Sequence, residues 1–526
     1  MEKKKNSPVL GLLLFLSVYS LTCKGMRTIK MTGISPTDST GIINVRNYGA
    51  KGDGKNLDSP SINKAIDEAS SKGGGMIYFP PGTYLSVSIR LKSNISLYLE
   101  QGATILAASP TKDYKYDDPE PNVWGDSLNY QDFGHSHWHN SLIWGEDVQN
   151  ISILGPGLIW GKGLQRDDAD KSTGIGNKSI SLKWCRNVII RDVTILHGGW
   201  FGILATGVDN LTIDNLKFDT NRDGMDIDCC FNVRISNCYV NSPLDDGICL
   251  KSSFGLGIAR ATENVTITNC QVSGYVEGSF LDGTYKKYGL YDIKPTGRIK
   301  FGTESNGGFK NIAISNCVFE YCGGLALETV DGALLEDVTI TNITMRDIVN
   351  APIFLRLGQR MRGPSGTRIG ELRRVIISNI VVYNADPQTG SVICGEQGHD
   401  IQDIRLSNIR IYYQGGGTAE QSAREVPSFA KEYPEPVFFG TLPSYGFFIR
   451  HVNGLQMDHV EVSFEEKDFR PACYLDDAKN VDFMFVKAQK MEGIPYLFMK
   501  NVINMKLFRS LNFDDKTLDK IDNLKL

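Results

Sequence analysis

The chain has 526 residues, 41% hydrophobic and 22% charged, with a formal net charge of −4. That balance fits a folded chain with a large core and supplies no basic surface for nucleic acid or an anionic membrane. With 54 glycines recurring between short β-rich runs, tight turns are favoured over long helices.

At the N-terminus, Lys3, Lys4 and Lys5 precede the apolar run Val9 to Val18, which is too short to span a bilayer comfortably. This predicts an export signal over 1–23. Cys23, just past the apolar run, is a candidate lipid-attachment site, although Ser20-Leu21-Thr22 fits a lipobox imperfectly. The expectation is an exported protein (periplasm, cell surface or secreted) whose only membrane contact is that anchor. Residues 40–526 read as a single domain, and a monomer is expected.

Ser59 to Ser71 is the one convincing amphipathic helix: Ile62, Ala65, Ile66 and Ala69 recur at helical spacing, and Gly73-Gly74-Gly75 ends it. Further on, alternation in His135-Ser136-His137-Trp138-His139 puts three histidines on one strand face. No acidic or cysteine ligand is spaced locally with them, so they read as cleft wall and not as a metal site. His197 and Trp200 are candidates for the same cleft.

From about residue 211 the chain repeats one phrase, apolar-x-apolar-x-Asn. It carries Asn215, Asn237, Asn269, Asn316, Asn342, Asn379 and Asn408, with Asp192 and Asp458 in weaker copies. The shortest interval, 215 to 237, is 22 residues, about one coil, and longer intervals imply insertions on a fixed frame. Period-two strands at this spacing, without intervening helices, predict an all-β fold: a right-handed parallel β-helix with the helix 59–71 capping its open end. The asparagines fall at a turn on every coil and are expected to form an internal hydrogen-bonded ladder. Variable intervals speak against a sandwich or propeller. The tail after about Val481 loses the asparagine and reads as final coils and a cap.

Eleven cysteines include Cys23. Cys238, Cys270 and Cys317 each follow the phrase asparagine, as buried residues at one repeat position would. No Cys-x-x-Cys spacing occurs, so zinc is not expected; an oxidised pair stays open for an exported chain.

Two acidic clusters lie one coil apart, Asn221-Arg222-Asp223-Gly224-Met225-Asp226 and Leu244-Asp245-Asp246-Gly247. Asp223 and Asp245, 22 residues apart, would stack on neighbouring coils, about 4.8 Å apart. A sideways offset would widen them to the roughly 6.5–9.5 Å of an acid–base pair that inverts a glycosidic centre. Asp246 joins them only if the chain bends after Pro243. Asp-Gly is also a common turn dipeptide; two clusters in register, one with a doublet, outweigh that reading. Strand alternation puts Asp226 and Asp228 on the opposite side, in structural roles.

The chain resembles glycoside hydrolase family 28, the polygalacturonases and rhamnogalacturonan hydrolases. The resemblance rests on Asn47-Tyr-Gly-Ala-Lys-Gly-Asp-Gly54, Phe79-Pro-Pro-Gly-Thr-Tyr84, Asn221-Arg222-Asp223 (family Asn-Thr-Asp) and the Asp245-Asp246 doublet. It implies single-displacement hydrolysis with inversion and without metal or cofactor. Asp245 is then the general acid, and Asp223 and Asp246 hold and deprotonate the water; Asn221 is carried over as a substrate contact.

Two family motifs are missing. Gly-His-Gly corresponds to the stretch from Thr296 to Glu304, which has no histidine, and Arg-x-Lys one coil later corresponds to Ala326-Leu327-Glu328. A cationic clamp has become neutral and acidic, so a neutral sugar such as rhamnose is expected on the leaving side, with Glu328 accepting from its hydroxyls. Arg298 and Lys300 are candidates for a relocated clamp, Glu304 for a further contact, and Lys251 either meets a galacturonate carboxylate or is a solvated lysine. The expected activity is release of galacturonate from rhamnogalacturonan-type linkages in pectic polysaccharide. The alternatives are an exo-polygalacturonase, a β-helix polysaccharide lyase and a non-catalytic carbohydrate-binding protein. The long intervals 237–269 and 269–316 predict loops that wall one end of the cleft, favouring exo action.

Overall fold

The computed structural model describes residues 41–125, 130–166, 174–289 and 293–526. The export signal 1–23 and Cys23 lie outside these residues. Gly41–Leu526 forms one compact unit, in which the 35 strands of the described residues hydrogen-bond into one continuous sheet wound as a right-handed parallel β-helix.

The coils follow from the apolar positions of the phrase. The strands Phe201–Thr206, Asp209–Asp214 and Lys217–Asp219 make one coil, and Asp223–Asp228, Phe231–Ser236 and Tyr239–Asn241 the next. Ile203 stacks on Met225 and Ile248, Leu211 on Val233 and Val265, and Phe218 on Val240 and Val272. All nine are buried in one core that runs through the coils. Each such side chain contributes about 1.5–3 kcal/mol, so in-register stacking of like residues stabilises every coil against its neighbours.

Both ends of the core are covered. The helix Ser59–Ser71 buries Ile62, Ala65, Ile66 and Ala69 against the first coils. At the other end Lys516–Lys525 pairs antiparallel with Leu497–Phe508, whereas the other named strand pairs among the described residues are parallel. The ten described cysteines are free and buried, and Cys270 meets the thiols of Cys238 and Cys317 on either side.

The asparagines do sit at turns, but their ladder is external. The seven phrase asparagines have φ between 52° and 58°. That left-handed conformation swings the side chain out of the core at the corner, and Asn269 bonds Asn237 (3.3 Å), Asn342 bonds Asn316 (3.1 Å) and Asn408 bonds Asn379 (2.8 Å) at the surface. A second exposed ladder, unforeseen in the sequence, links Asn94, Asn150, Asn187, Asn210, Asn232, Asn264 and Asn311. From Asn150 on, each stands immediately before the apolar-x-apolar run, so two left-handed corners bracket the strand. Asn232 has φ 57° and bonds rungs on both sides. Asn232→Ala is expected to cost about 2 kcal/mol in urea denaturation, through the left-handed backbone and the lost bonds. Asn232→Gly, which keeps the backbone, should cost clearly less.

Candidate active site

The two Asp-Gly steps are set by packing and not by free turns. A Cβ on Gly224 would stand 2.4 Å from Val240 Cγ1 and from the carbonyl oxygen of Gly247, so position 224 faces the core and Asp223 faces out. Met225 also faces the core. Two successive inward positions break the alternation and return Asp226 to the side of Asp223. This corrects the expected placement of Asp226: it is buried beside the cluster, its charge bears on Asp223, and it accepts from His135 Nε2 at 3.1 Å. Ile227 also faces the core, so Asp228 too lies on the side of Asp223 and not opposite it; its role is structural as expected, bonding Ser253 N at 2.7 Å and Ser253 Oγ at 2.6 Å.

The chain bends between Ser242 and Gly247, which lets both members of the doublet serve one site. Met225 opposite Ile248 sets the register, so Asp246, and not Asp245, lies opposite Asp223. One oxygen from each of Asp223, Asp245 and Asp246 lies within 4.8 Å of the others, tighter than the expected offset. Asp223 and Asp246 are buried, while the Asp245 side chain is 25% exposed and faces the opening.

Their surroundings divide the protons. Burial, then Asp226 and Asp245, push the Asp223 carboxyl well above its usual range. Burial also raises Asp245, against the pull of Arg222, whose Nη2 is 2.6 Å from Asp245 Oδ2. Burial opposes ionisation of Asp246 too, but Lys300, then Arg298 and Lys251, outweigh it and hold Asp246 below its usual value. Arg298 Nε is 2.8 Å from Asp246 Oδ1, and Lys300 Nζ is 3.3 Å from Oδ2. The site therefore combines a partly exposed carboxyl raised above its usual value with a buried one held below it, whose two oxygens both meet cations.

Arg298 and Lys300 thus lie against the carboxylates, one coil from the doublet. Glu328, on the following coil, is fully buried. It lies 3.5 Å from Lys300 Nζ and 4.0 Å from Arg298 Nη2, and burial, against those two cations, pushes its carboxyl up to about 7. It faces the cation pair and not an open subsite, in contrast to the expected hydroxyl contact. Lys251 is neither solvated nor free: it is buried, 3.0 Å from Glu304 and 3.6 Å from Asp226. Glu304 is buried in the same network, with Arg360 at 3.4 Å. Asn221 is half-buried at the rim.

The three histidines do not share a face. Phe133–Ser136 is a 3-10 turn, not a strand; His135 reaches Asp226, His137 stacks on Phe133, and His139 bonds Glu146 at 2.7 Å and stacks on Trp144. Trp200 does reach the site, with the Arg222 guanidinium 4.2 Å above its ring. Tyr433 and Glu435 were missed by the sequence reading. They belong to the long connection between the strands Ile401–Gly415 and Phe447–Glu466. Tyr433 Oη is 3.2 Å from Lys300 Nζ, and Glu435 pairs with the Arg298 guanidinium. Their only sequence signal is that they fall in the longest interval of the repeat, Asn408 to Asp458.

A family model described as rhamnogalacturonase A/epimerase, pectate lyase-like, matches residues 42–274. An "Exo-poly-alpha-D-galacturonosidase" of Dickeya chrysanthemi is 28% identical over 469 residues, covering 73% of this chain and 76% of that protein. A "Probable polygalacturonase" of Vitis vinifera is 24% identical over 315 residues; the match covers 57% of this chain and spans 63% of the relative's length. The solved structure of a Yersinia enterocolitica family 28 exopolygalacturonase shares the fold, with a TM-score of 0.57 at 19% identity over 86% of this chain and 79% of that one. The chain is thus similar to the rhamnogalacturonase A/epimerase, pectate lyase-like family over residues 42–274 and to polygalacturonases over longer stretches, and it shares the β-helix fold of a family 28 exopolygalacturonase.

Proposed function

We propose that this protein is an inverting glycoside hydrolase that releases galacturonate from rhamnogalacturonan-type linkages in pectic polysaccharide. The observation that carries the reading is the convergence of three carboxyls, one partly exposed beside Arg222 and one buried between Arg298 and Lys300. Asp245, raised above its usual value and 25% exposed, donates in its protonated form to the leaving glycosidic oxygen. Asp246, held ionised, takes the proton of a water that Asp223 helps to position.

The spacing alone would also suit a retaining pair, whose carboxyls stand about 5–5.5 Å apart. Retention, however, needs a carboxylate free to attack carbon. Both oxygens of Asp246 already meet Arg298 and Lys300, which lowers its nucleophilicity but leaves it able to orient and deprotonate water. That difference supports inversion over retention at Asp246.

A second reading, exo-polygalacturonase action, draws support from the Dickeya relative and from the Arg298–Lys300 pair beside the trio. Digestion of purified rhamnogalacturonan and homogalacturonan oligosaccharides separates the two. The expected result is galacturonate from the first, with no new ultraviolet absorbance. Rapid release from homogalacturonan alone would establish the second reading, and an absorbing, unsaturated product would establish a lyase.

A further inference from the structure

We propose that Glu435 is a specificity-determining residue: it supplies, from within the protein, the carboxylate that Arg298 and Lys300 would otherwise take from a substrate, and so reserves the adjoining subsite for a neutral sugar. This rests on the hydrolase reading above and names the residue that sets its substrate class.

The observation is a charge count at one spot. Two cations, Arg298 and Lys300, are buried together. Asp246 lies against both, Glu328 is 3.5 Å from Lys300, and Glu435 engages Nη1 and Nη2 of Arg298 and comes within 3.9 Å of Lys300. Three carboxyls face two cations. The fork of Arg298 that would accept a uronate in the bidentate manner is spent on Glu435, so an incoming carboxylate meets like charge and no free donor pair. A neutral sugar brings hydroxyls instead, which can donate to Glu435, itself 20% exposed, or bond the Tyr433 hydroxyl.

Glu435 sits on a segment that is anchored on both sides of it. Its strap, residues 416–446, is tied to the coils by buried arginines donating to strap carbonyls. Arg356 Nη2 reaches Ser428 O at 3.0 Å and Phe429 O at 2.9 Å, and Arg450 Nη1 reaches Val426 O at 2.8 Å. Val426, Phe439 and Leu442 of the strap bury against Phe354, Val392 and Phe448. The strand column that carries Lys300 continues through Ala326, Phe354, Val392 and Phe448. Beyond the reacting centre this one column has therefore turned apolar and is roofed by the strap, while Tyr433 and Glu435 are the polar side chains that the strap presents to the cation pair.

The test is Glu435→Gln in the full chain, with Glu435→Asp as the conservative control. Each is assayed on homogalacturonan and rhamnogalacturonan oligosaccharides and titrated calorimetrically with trigalacturonate. Glu435→Gln is expected to improve the homogalacturonan-to-rhamnogalacturonan ratio of kcat/KM, and to tighten trigalacturonate binding, by roughly 10- to 100-fold, the worth of one hydrogen-bonded charge. Glu435→Asp should keep the wild-type preference. An unchanged ratio and unchanged trigalacturonate affinity in a folded Glu435→Gln protein overturn the proposal. If Glu435→Gln does not fold, Glu435→Ala with the same calorimetric readout decides. Wild-type protein that hydrolyses neither substrate overturns the hydrolase reading instead, and the trigalacturonate titration still decides the role of Glu435.

Discussion

Asp245→Asn is expected to lower kcat by about 10²–10⁴-fold on any substrate the wild type cleaves, the usual worth of a positioned general acid. Asparagine keeps the shape of the side chain but cannot deliver a proton to the leaving oxygen. Fold stability should be little changed. The substitution replaces a carboxyl whose charged form burial disfavours and weakens the 2.6 Å contact with Arg222, and these oppose each other. KM should move far less than kcat, because the proton is given in the transition state. Unaltered turnover would remove Asp245 from the chemistry, and a protein that only bound carbohydrate would show no change in any assay.

Arg298→Ala should have the second large effect, on both stability and pH dependence. Arg298 is buried and compensates Asp246, Glu328 and Glu435. Its removal leaves buried carboxylates facing Lys300 alone, a loss on the order of 3–5 kcal/mol, readable as a lower midpoint in urea. The sign of the pH effect follows from the base. Arg298 helps to hold Asp246 below its usual value, so its loss raises that value. Activity rises with pH as Asp246 ionises, so the ascending limb of the kcat/KM profile should move to higher pH. A profile that stays in place would mean that Asp246 is not the base.

The sequence displays the coil and the acidic trio because both are periodic. The phrase asparagines mark the corners of consecutive coils, and the 22-residue interval brings the acidic clusters together. It hides whatever departs from the period. Strand alternation put Asp226 on the far side because it could not register that Gly224 and Met225 both face the core. The ladder was expected inside because the pattern carries no sign of the left-handed corner, which turns the asparagines outward. Asp245 was aligned with Asp223 by counting, whereas the bend after Pro243 inserts one residue and aligns Asp246. Glu435 lies 137 residues from Arg298 in sequence and joins it only because the strap folds back over the catalytic face.

The histidine run shows the same limit from the other side. Alternation is a property of strands, and the 3-10 turn at Phe133–Ser136 sends His135, His137 and His139 to three separate partners. Of these only His135 reaches the acidic cluster, through Asp226.

The central claim is that Asp245 and an ionised Asp246 hydrolyse the bond by a single displacement. Proton NMR of the sugar released in the first turnovers, read before mutarotation equilibrates it, tests that claim most directly. The account predicts the anomer inverted relative to the scissile linkage. The retained anomer would mean that a carboxylate attacks carbon, and would contradict the assignment of Asp246 as base.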